Sequence, residues 1–329
     1  MDLVKCLDHA AGDNWALYHG DCCEVVRQLP SDSVGLTVYS PPFANVYTYS
    51  DSPRDMGNCG DMGEFSEHYR FLVGEIYRVT KPGRIVAVHC KELVKYSGSS
   101  EDGMAGMRDF PGELVRLHTE AGFGYASRIT IWRSPVTEQR KTNRNALLYK
   151  TLRNDSSYSG QGFAEYILIF RRWAHTEAEK ALVEPIQHTH EGFPLNRWQH
   201  HASPVWMDYR QALRSLDSRA ASEALEQMDL DAINPGEIDQ TDVLNVRIAR
   251  DSQDEKHMCP LPLEIIRRCC GLWSNPGDVV LSPFAGIGSE GFAALRMGRK
   301  FVGVELKESY YKEAVRNLYG STRQMGLAL

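Results

Sequence analysis

Short apolar runs alternate with longer stretches of helical period along most of this chain. Val34-Gly-Leu-Thr-Val-Tyr39 and Lys300-Phe-Val-Gly-Val-Glu305 are too short for helices and end in turn residues or a charge, the signature of strands inside a sheet. The same test predicts strands near 15–19, 34–39, 84–89, 127–132, 164–170, 278–282 and 300–304. Apolar positions recurring every three or four residues predict helices over 22–29, 65–79, 110–121, 261–273, 289–297 and 309–318. This alternation predicts an α/β fold, with a mostly parallel sheet and helices on both faces. Residues 213–228 read as an amphipathic helix, and the segment 45–63, rich in Asp, Gly, Ser and Tyr, reads as a loop.

Two strand ends carry chemistry. Ser40-Pro41-Pro42-Phe43 closes the run 34–39. Proline fixes its own φ, restrains the residue before it and donates no hydrogen bond, so the pair makes a stiff turn with free carbonyl oxygens. Those oxygens and the Ser40 hydroxyl can accept from an exocyclic NH2, while Phe43 offers a face for a flat base. The plain alternative is a Pro-Pro loop after a strand. Downstream, Asp278-Val-Val-Leu-Ser-Pro-Phe-Ala-Gly-Ile-Gly-Ser-Glu-Gly291 runs a strand into Gly286, Gly288 and Gly291 before a helix, and the next strand ends on Glu305. Glycines let a ligand approach the backbone, and a strand-end acid can take both hydroxyls of a ribose. This is a nucleoside-cofactor pattern, against which a merely structural tight turn is the simpler reading.

Only one helix fits after Glu305, so the remaining strands must come from residues that precede the glycine loop: a permuted order. The two motifs, in this order, resemble the permuted, or β-class, DNA amino-methyltransferases that use S-adenosyl-L-methionine. Gly20-Asp21, Arg78-Val-Thr-Lys-Pro-Gly-Arg-Ile-Val-Ala-Val-His89, Ala164-Glu-Tyr-Ile-Leu-Ile-Phe-Arg171 and Glu255-Lys-His-Met-Cys-Pro-Leu-Pro-Leu263 resemble further family segments, covering most of 17–171 and 254–319. The resemblance implies a doubly wound, Rossmann-like methyltransferase sheet, circularly permuted. Its catalytic part would span 1–171, a smaller inserted target-recognition region 172–253, and the cofactor-binding part 254–329. It assigns Ser40, Pro41, Pro42 and Phe43 to catalysis, and Asp21, Lys256, His257, Pro283, Phe284, Ala285, Gly286, Gly288, Ser289 and Glu305 to the cofactor. Ser282 departs from the acid that commonly opens the family's cofactor loop.

Composition fits an intracellular enzyme: 329 residues supply a core, no apolar run approaches a membrane span, and the first residues lack a signal-peptide layout. The eight cysteines have no two-by-two metal spacing and read as free thiols in a reducing cytoplasm. His188, His190, His200 and His201 read as surface residues, and no metal is expected. Net charge is −6, but its distribution matters more. Residues 128–153 hold seven basic residues against the single acid Glu138, whereas 214–242 hold two against eight acids. Phosphates respond to local field, so Arg133, Arg140, Lys141 and Arg144 are candidate contacts to double-stranded DNA. A solvated arginine-rich loop is the competing reading.

A base amine is a weak nucleophile and lies out of reach inside a duplex, so the base must be flipped. Ser40 and the Pro41 carbonyl would accept its hydrogens, with catalysis by orientation rather than a covalent intermediate. The C5-cytosine route needs a thiolate in Pro-Cys order, and Cys259-Pro260 is reversed. Ser at the first catalytic position is commoner among the family's N4-cytosine enzymes, so cytosine is expected ahead of adenine N6. A cognate restriction endonuclease and a second copy of the chain are candidate protein partners. An NAD(P)-dependent oxidoreductase would use the glycines and Glu305 but leaves 40–43 without a role, and an inactive DNA-binding module has no use for both pockets.

Overall fold

The computed structural model describes residues 4–42, 55–99, 103–142, 146–207, 238, 241–245 and 260–323. Its strands are β1 (Asp8–Gly12), β2 (Trp15–His19), β3 (Val34–Tyr39), β4 (Thr80–Lys91), β5 (Leu93–Lys95), β6 (Gly106–Arg108), β7 (Gly124–Ile131), β8 (Glu165–Arg171), β9 (Val205–Trp206), β10 (Val279–Ser282) and β11 (Lys300–Glu305). All but the β5–β6 hairpin join one nine-stranded sheet, ordered β1-β2-β11-β10-β3-β4-β8-β7-β9. From β2 to β4 the pairing is parallel throughout. β1 and β8 run against their neighbours.

The helices are α1 (Cys22–Arg27), α2 (Met62–Val79), α3 (Phe110–Glu120), α4 (Pro135–Thr142), α5 (Tyr149–Asn154), α6 (Glu177–Ala181), α7 (Leu195–His201), α8 (Leu263–Trp273), α9 (Ser289–Arg296) and α10 (Glu308–Arg323). α1, α2 and α3 press Val25, Phe65, Leu72, Ile76 and Leu114 onto one face of the sheet. α8, α9 and α10 press Ile265, Ile266, Ala294 and Leu318 onto the other. The doubly wound α/β class expected from the alternation is therefore present. The two strands nearest the C-terminus, β10 and β11, lie in the middle of the sheet between β2 and β3, which is the permuted order.

A buried ion pair fastens this late strand to the early ones. Asp278, just before β10, meets Arg84 of β4 at 3.1 Å across the intervening β3. Gly35 of β3 makes the crossing feasible, because a Cβ there would stand 2.7 Å from the Asp278 carboxyl carbon.

All seven expected strands and six expected helices form, with ends shifted by a few residues. β1 carried no apolar signal because it pairs on one side only and its residues are largely exposed. Residues 55–63 fold into a short 3-10 turn (Met56–Asn58) and the start of α2 rather than loop alone, whereas 45–54 and the expected helix 213–228 lie outside the described residues. His201 corrects the expectation of surface histidines. It is buried at the end of α7 against the Phe193 ring at 5.3 Å, and burial, with the nearby Arg268 charge, lowers its pKa to about 3.

Candidate active site

From β10 the chain crosses through α9 to β11, one way along the sheet, whereas from β3 it crosses through α2 to β4, the other way. The adjacent carboxyl ends of β10 and β3 thus flank a topological switch point, where open α/β sheets leave a crevice for ligands. The two sequence motifs sit there side by side: Ser282-Pro283-Phe284 after β10 and Ser40-Pro41-Pro42 after β3. The Phe284 and Tyr39 rings join them at 5.8 Å.

On the β10 side the loop turns through Gly286 and Gly288, both with positive φ (51° and 86°) that favours glycine. A Cβ on Gly286 would meet nothing within 4 Å, whereas one on Gly291 would strike Phe301 and Leu318 at 2.5 Å. Gly286 therefore borders open space, and Gly291 lets α9 pack closely. Glu305, at the end of β11, accepts from the Gly286 N–H and the Lys307 N–H, both at 2.8 Å. Each carboxylate oxygen keeps a lone pair for a further donor. Burial pushes this carboxyl up to about 7, against the pull of those N–H donors. Glu290 in the first turn of α9 is pushed by burial to about 8, with the Glu305 charge adding to the rise. The buried hydroxyls of Ser282 and Ser289 have no partner among the described residues. An open cradle, an acid with spare acceptor capacity and two orphan hydroxyls fit a polar nucleoside ligand.

Asp21, after β2, also reaches this edge, beside the Gly20 N–H that donates to the Glu305 carbonyl at 3.0 Å. One of its oxygens already caps α1 through the Cys23 and Glu24 N–H groups. Asp21, Cys22 and Cys23 bring ligand-type atoms within 4.8 Å of one another, but hydrogen bonding with Cys23, then burial, holds the Cys22 thiol well above its usual range, a poor metal ligand. Lys256 and His257 lie outside the described residues.

On the β3 side Pro41 and Pro42 are buried and Ser40 remains partly open. Tyr39 anchors the turn from below: its hydroxyl contacts the Tyr69 hydroxyl at 2.6 Å and His118 Nε2 at 3.2 Å. Beside the turn stands a chain of polar side chains, two of which, His89 and Glu165, sequence reasoning did not single out. Ser40 Oγ meets His89 Nδ1 at 3.3 Å, His89 Nε2 meets Glu165 Oε2 at 3.1 Å, and Arg133 pairs with the same carboxylate. Burial would raise the Glu165 pKa, but the Arg133 charge and the His89 hydrogen bond outweigh it and hold the group ionised well below the usual carboxylate range. The available signal was a His near the end of one apolar strand and a Glu at the start of another.

Arg133 is thus turned inward, its side chain mostly covered. The basic stretch 128–153, of which it is part, leaves β7 at the same edge of the sheet and continues into α4. The side chains of Arg140 and Lys141, together with Arg144 and Phe43, lie outside the described residues. Among the described residues no helix is long and apolar enough to cross a membrane.

Comparison with known proteins bears on the family and the fold. The family model for N6/N4 DNA methylases matches residues 34–316. A DNA adenine methyltransferase of Escherichia coli K12, YhdJ, is 39% identical over 311 residues, covering 92% of this chain and 82% of its own. Among solved structures, a DNA modification methylase from Thermus thermophilus, complexed with S-adenosyl-L-methionine, superposes with a TM-score of 0.60 at 20% identity, covering 93% of each chain. The PvuII cytosine-N4-specific DNA methyltransferase gives a TM-score of 0.58 at 14% identity, covering 95% of this chain and 92% of that one. These two structural likenesses concern the fold.

Proposed function

The chain belongs to the N6/N4 DNA methylase family, and from that membership we propose that it moves a methyl group from S-adenosyl-L-methionine to the exocyclic amine of a base flipped out of double-stranded DNA. The observation that carries this reading is the pairing of two half-sites at one switch point. Gly286, Gly288, Ser289 and Glu305 face the nucleoside cofactor, Glu305 taking its ribose hydroxyls, and Pro283, Phe284 and Ala285 shape the loop. Asp21 stands at the far end of the same crevice. Two carboxyls poised near neutrality, Glu305 and Glu290, also suit a ligand that carries positive charge.

When bound, the cofactor supplies an electrophilic methyl on a sulfonium. The chain's own residues prepare the nucleophile. Ser40 Oγ and the Pro41 carbonyl accept the two amine hydrogens, which localises the nitrogen lone pair, and Phe43 stacks on the base. The stiff Pro-Pro turn fixes the angle of approach at no further entropic cost. Arg140, Lys141 and Arg144, on the stretch leaving this edge, grip the DNA backbone, with 172–253 as the target-recognition region. This reading places the enzyme with DNA in a bacterial cytoplasm. A cognate endonuclease and a homodimer belong to the same proposal.

Two readings of the base each have an observation behind them. The Ser at position 40 favours cytosine N4, and the relative aligned over 311 residues, named an adenine methyltransferase, favours adenine N6. The second rests on nearly the whole chain rather than one residue, so adenine N6 takes precedence over the cytosine expected from the motif. Titrating the purified protein with S-adenosyl-L-methionine and with NAD, then adding DNA and following methyl incorporation, tests the reaction. Binding of the first alone, followed by transfer to DNA, is the expected result. Binding of NAD, or cofactor binding without transfer, would overturn it.

A further inference from the structure

We propose that His89, Glu165 and Arg133 form a relay behind Ser40 that forces its hydroxyl to act as an acceptor toward the base and takes up the proton the base amine loses. This rests on the methyl-transfer reading above. A serine hydroxyl can donate or accept, and only an acceptor suits an amine hydrogen. With His89 neutral, the chain of contacts decides between the two. The Glu165 carboxylate, paired with the Arg133 guanidinium, can only accept, so His89 Nε2 must carry a hydrogen and donate it at 3.1 Å. In neutral His89 the other nitrogen, Nδ1, is then bare. It accepts the Ser40 O–H at 3.3 Å, which turns both hydroxyl lone pairs away from the ring and toward the crevice.

The same arrangement disposes of a proton. When the amine nitrogen bonds to the methyl carbon, the C–S bond breaks with its electron pair going to sulfur, and the nitrogen is left with a positive charge and one hydrogen too many. As that N–H bond breaks, its proton passes to Ser40 Oγ while the Ser40 proton passes to His89 Nδ1. Serine is regenerated and the imidazolium faces the Glu165 carboxylate. Product and a protonated His89, later discharged to solvent, balance the step. Among the described residues, the charged groups in contact with His89 or with its partner are Glu165 from β8 and Arg133 from the segment after β7. β3 presents Ser40, and Lys91 lies two residues on along β4 itself. His89 and Glu165 are positioning residues, because neither need touch the base.

Single-turnover methyl transfer by the full chain, saturated with S-adenosyl-L-methionine and a DNA substrate, is measured against pH for wild type, His89→Asn and Glu165→Gln. If the relay takes up the amine proton, the wild-type rate should show an acid limb. In His89→Asn the amide oxygen can still accept from Ser40 but takes no proton, so the acid limb should vanish and the rate fall about 10²-fold. In Glu165→Gln one amide oxygen can still accept from both Nε2 and Arg133, but the negative charge that faces the imidazolium is gone, so the rate should fall about tenfold or more while cofactor affinity stays near wild type. Retained cofactor affinity checks that each variant is folded, and if Glu165→Gln fails that check, His89→Asn alone decides. A wild type that methylates, with His89→Asn keeping both its rate and its acid limb, overturns the relay alone. A wild type that binds cofactor and transfers nothing overturns the proposed function and the relay with it.

Discussion

Glu305 is the residue whose ionisation decides most. Its carboxyl titrates at about 7 in the folded chain, raised by burial. Ribose hydroxyls donate, so they need the ionised form, and protonating it competes with the cofactor. If binding requires the carboxylate, affinity should be flat well above pH 7 and about tenfold weaker at pH 6 than at pH 8. Calorimetric titrations with S-adenosyl-L-methionine across that range check this, with Glu305→Gln expected to bind weakly and to lose the dependence. Ser40→Ala should bind cofactor nearly as wild type yet transfer methyl groups at least about 10²-fold more slowly, because it removes an acceptor used in the reaction rather than in cofactor binding. Parallel loss of affinity and turnover would put Ser40 in the cofactor site instead. At this scale the sequence was legible where chemistry concentrates in a short motif, as at Ser40, Gly286 and Glu305. His89 and Glu165 escaped because they lie 76 positions apart and meet only when β4 pairs with β8.

Among elements, β10 is the joint of the fold, since it brings the late cofactor loop against the early catalytic turn. Its attachment is partly ionic: Arg84 is 1% exposed and its guanidinium depends on Asp278. Asp278→Ala would leave that charge buried with its main partner removed, a loss of about 3–5 kcal/mol, which urea denaturation should report as a lowered midpoint with little change in slope. A loss under about 1 kcal/mol would mean that the Glu184 carboxylate, which also reaches Arg84, suffices. Apolar periodicity located this strand and its neighbours because they are buried on both faces. It passed over β1 and α4 to α7, which are short pieces; β1 is held by pairing on one side and α6 by the Thr176–Glu179 capping box at its start. Nor could it reveal that Gly35 is small so that Asp278 can pass, since that is a cross-strand fact.

For the whole molecule, the carboxyl edge of the sheet gathers every described group with a proposed role, from Asp21 through Glu305 and Ser40 to Glu165 and Arg133. The permuted order was legible because the Ser40–Phe43 motif precedes the cofactor loop 282–291 in the chain. What the proposed target-recognition region 172–253 reads was not, since base reading depends on how side chains meet a groove rather than on their order. The basic stretch departs from the active edge, so Arg140→Ala, Lys141→Ala and Arg144→Ala combined should weaken DNA binding and reduce the slope of log affinity against log salt by about one unit for each phosphate no longer neutralised. An unchanged slope in fluorescence anisotropy would move the DNA path elsewhere. The central claim is methylation of an exocyclic base amine. It is tested most directly by incubating DNA with the enzyme and methyl-labelled S-adenosyl-L-methionine, digesting to nucleosides and resolving them by mass. The label should appear in N6-methyladenine or N4-methylcytosine and be lost with Ser40→Ala, whereas label confined to 5-methylcytosine, or no label in any nucleoside, would contradict it.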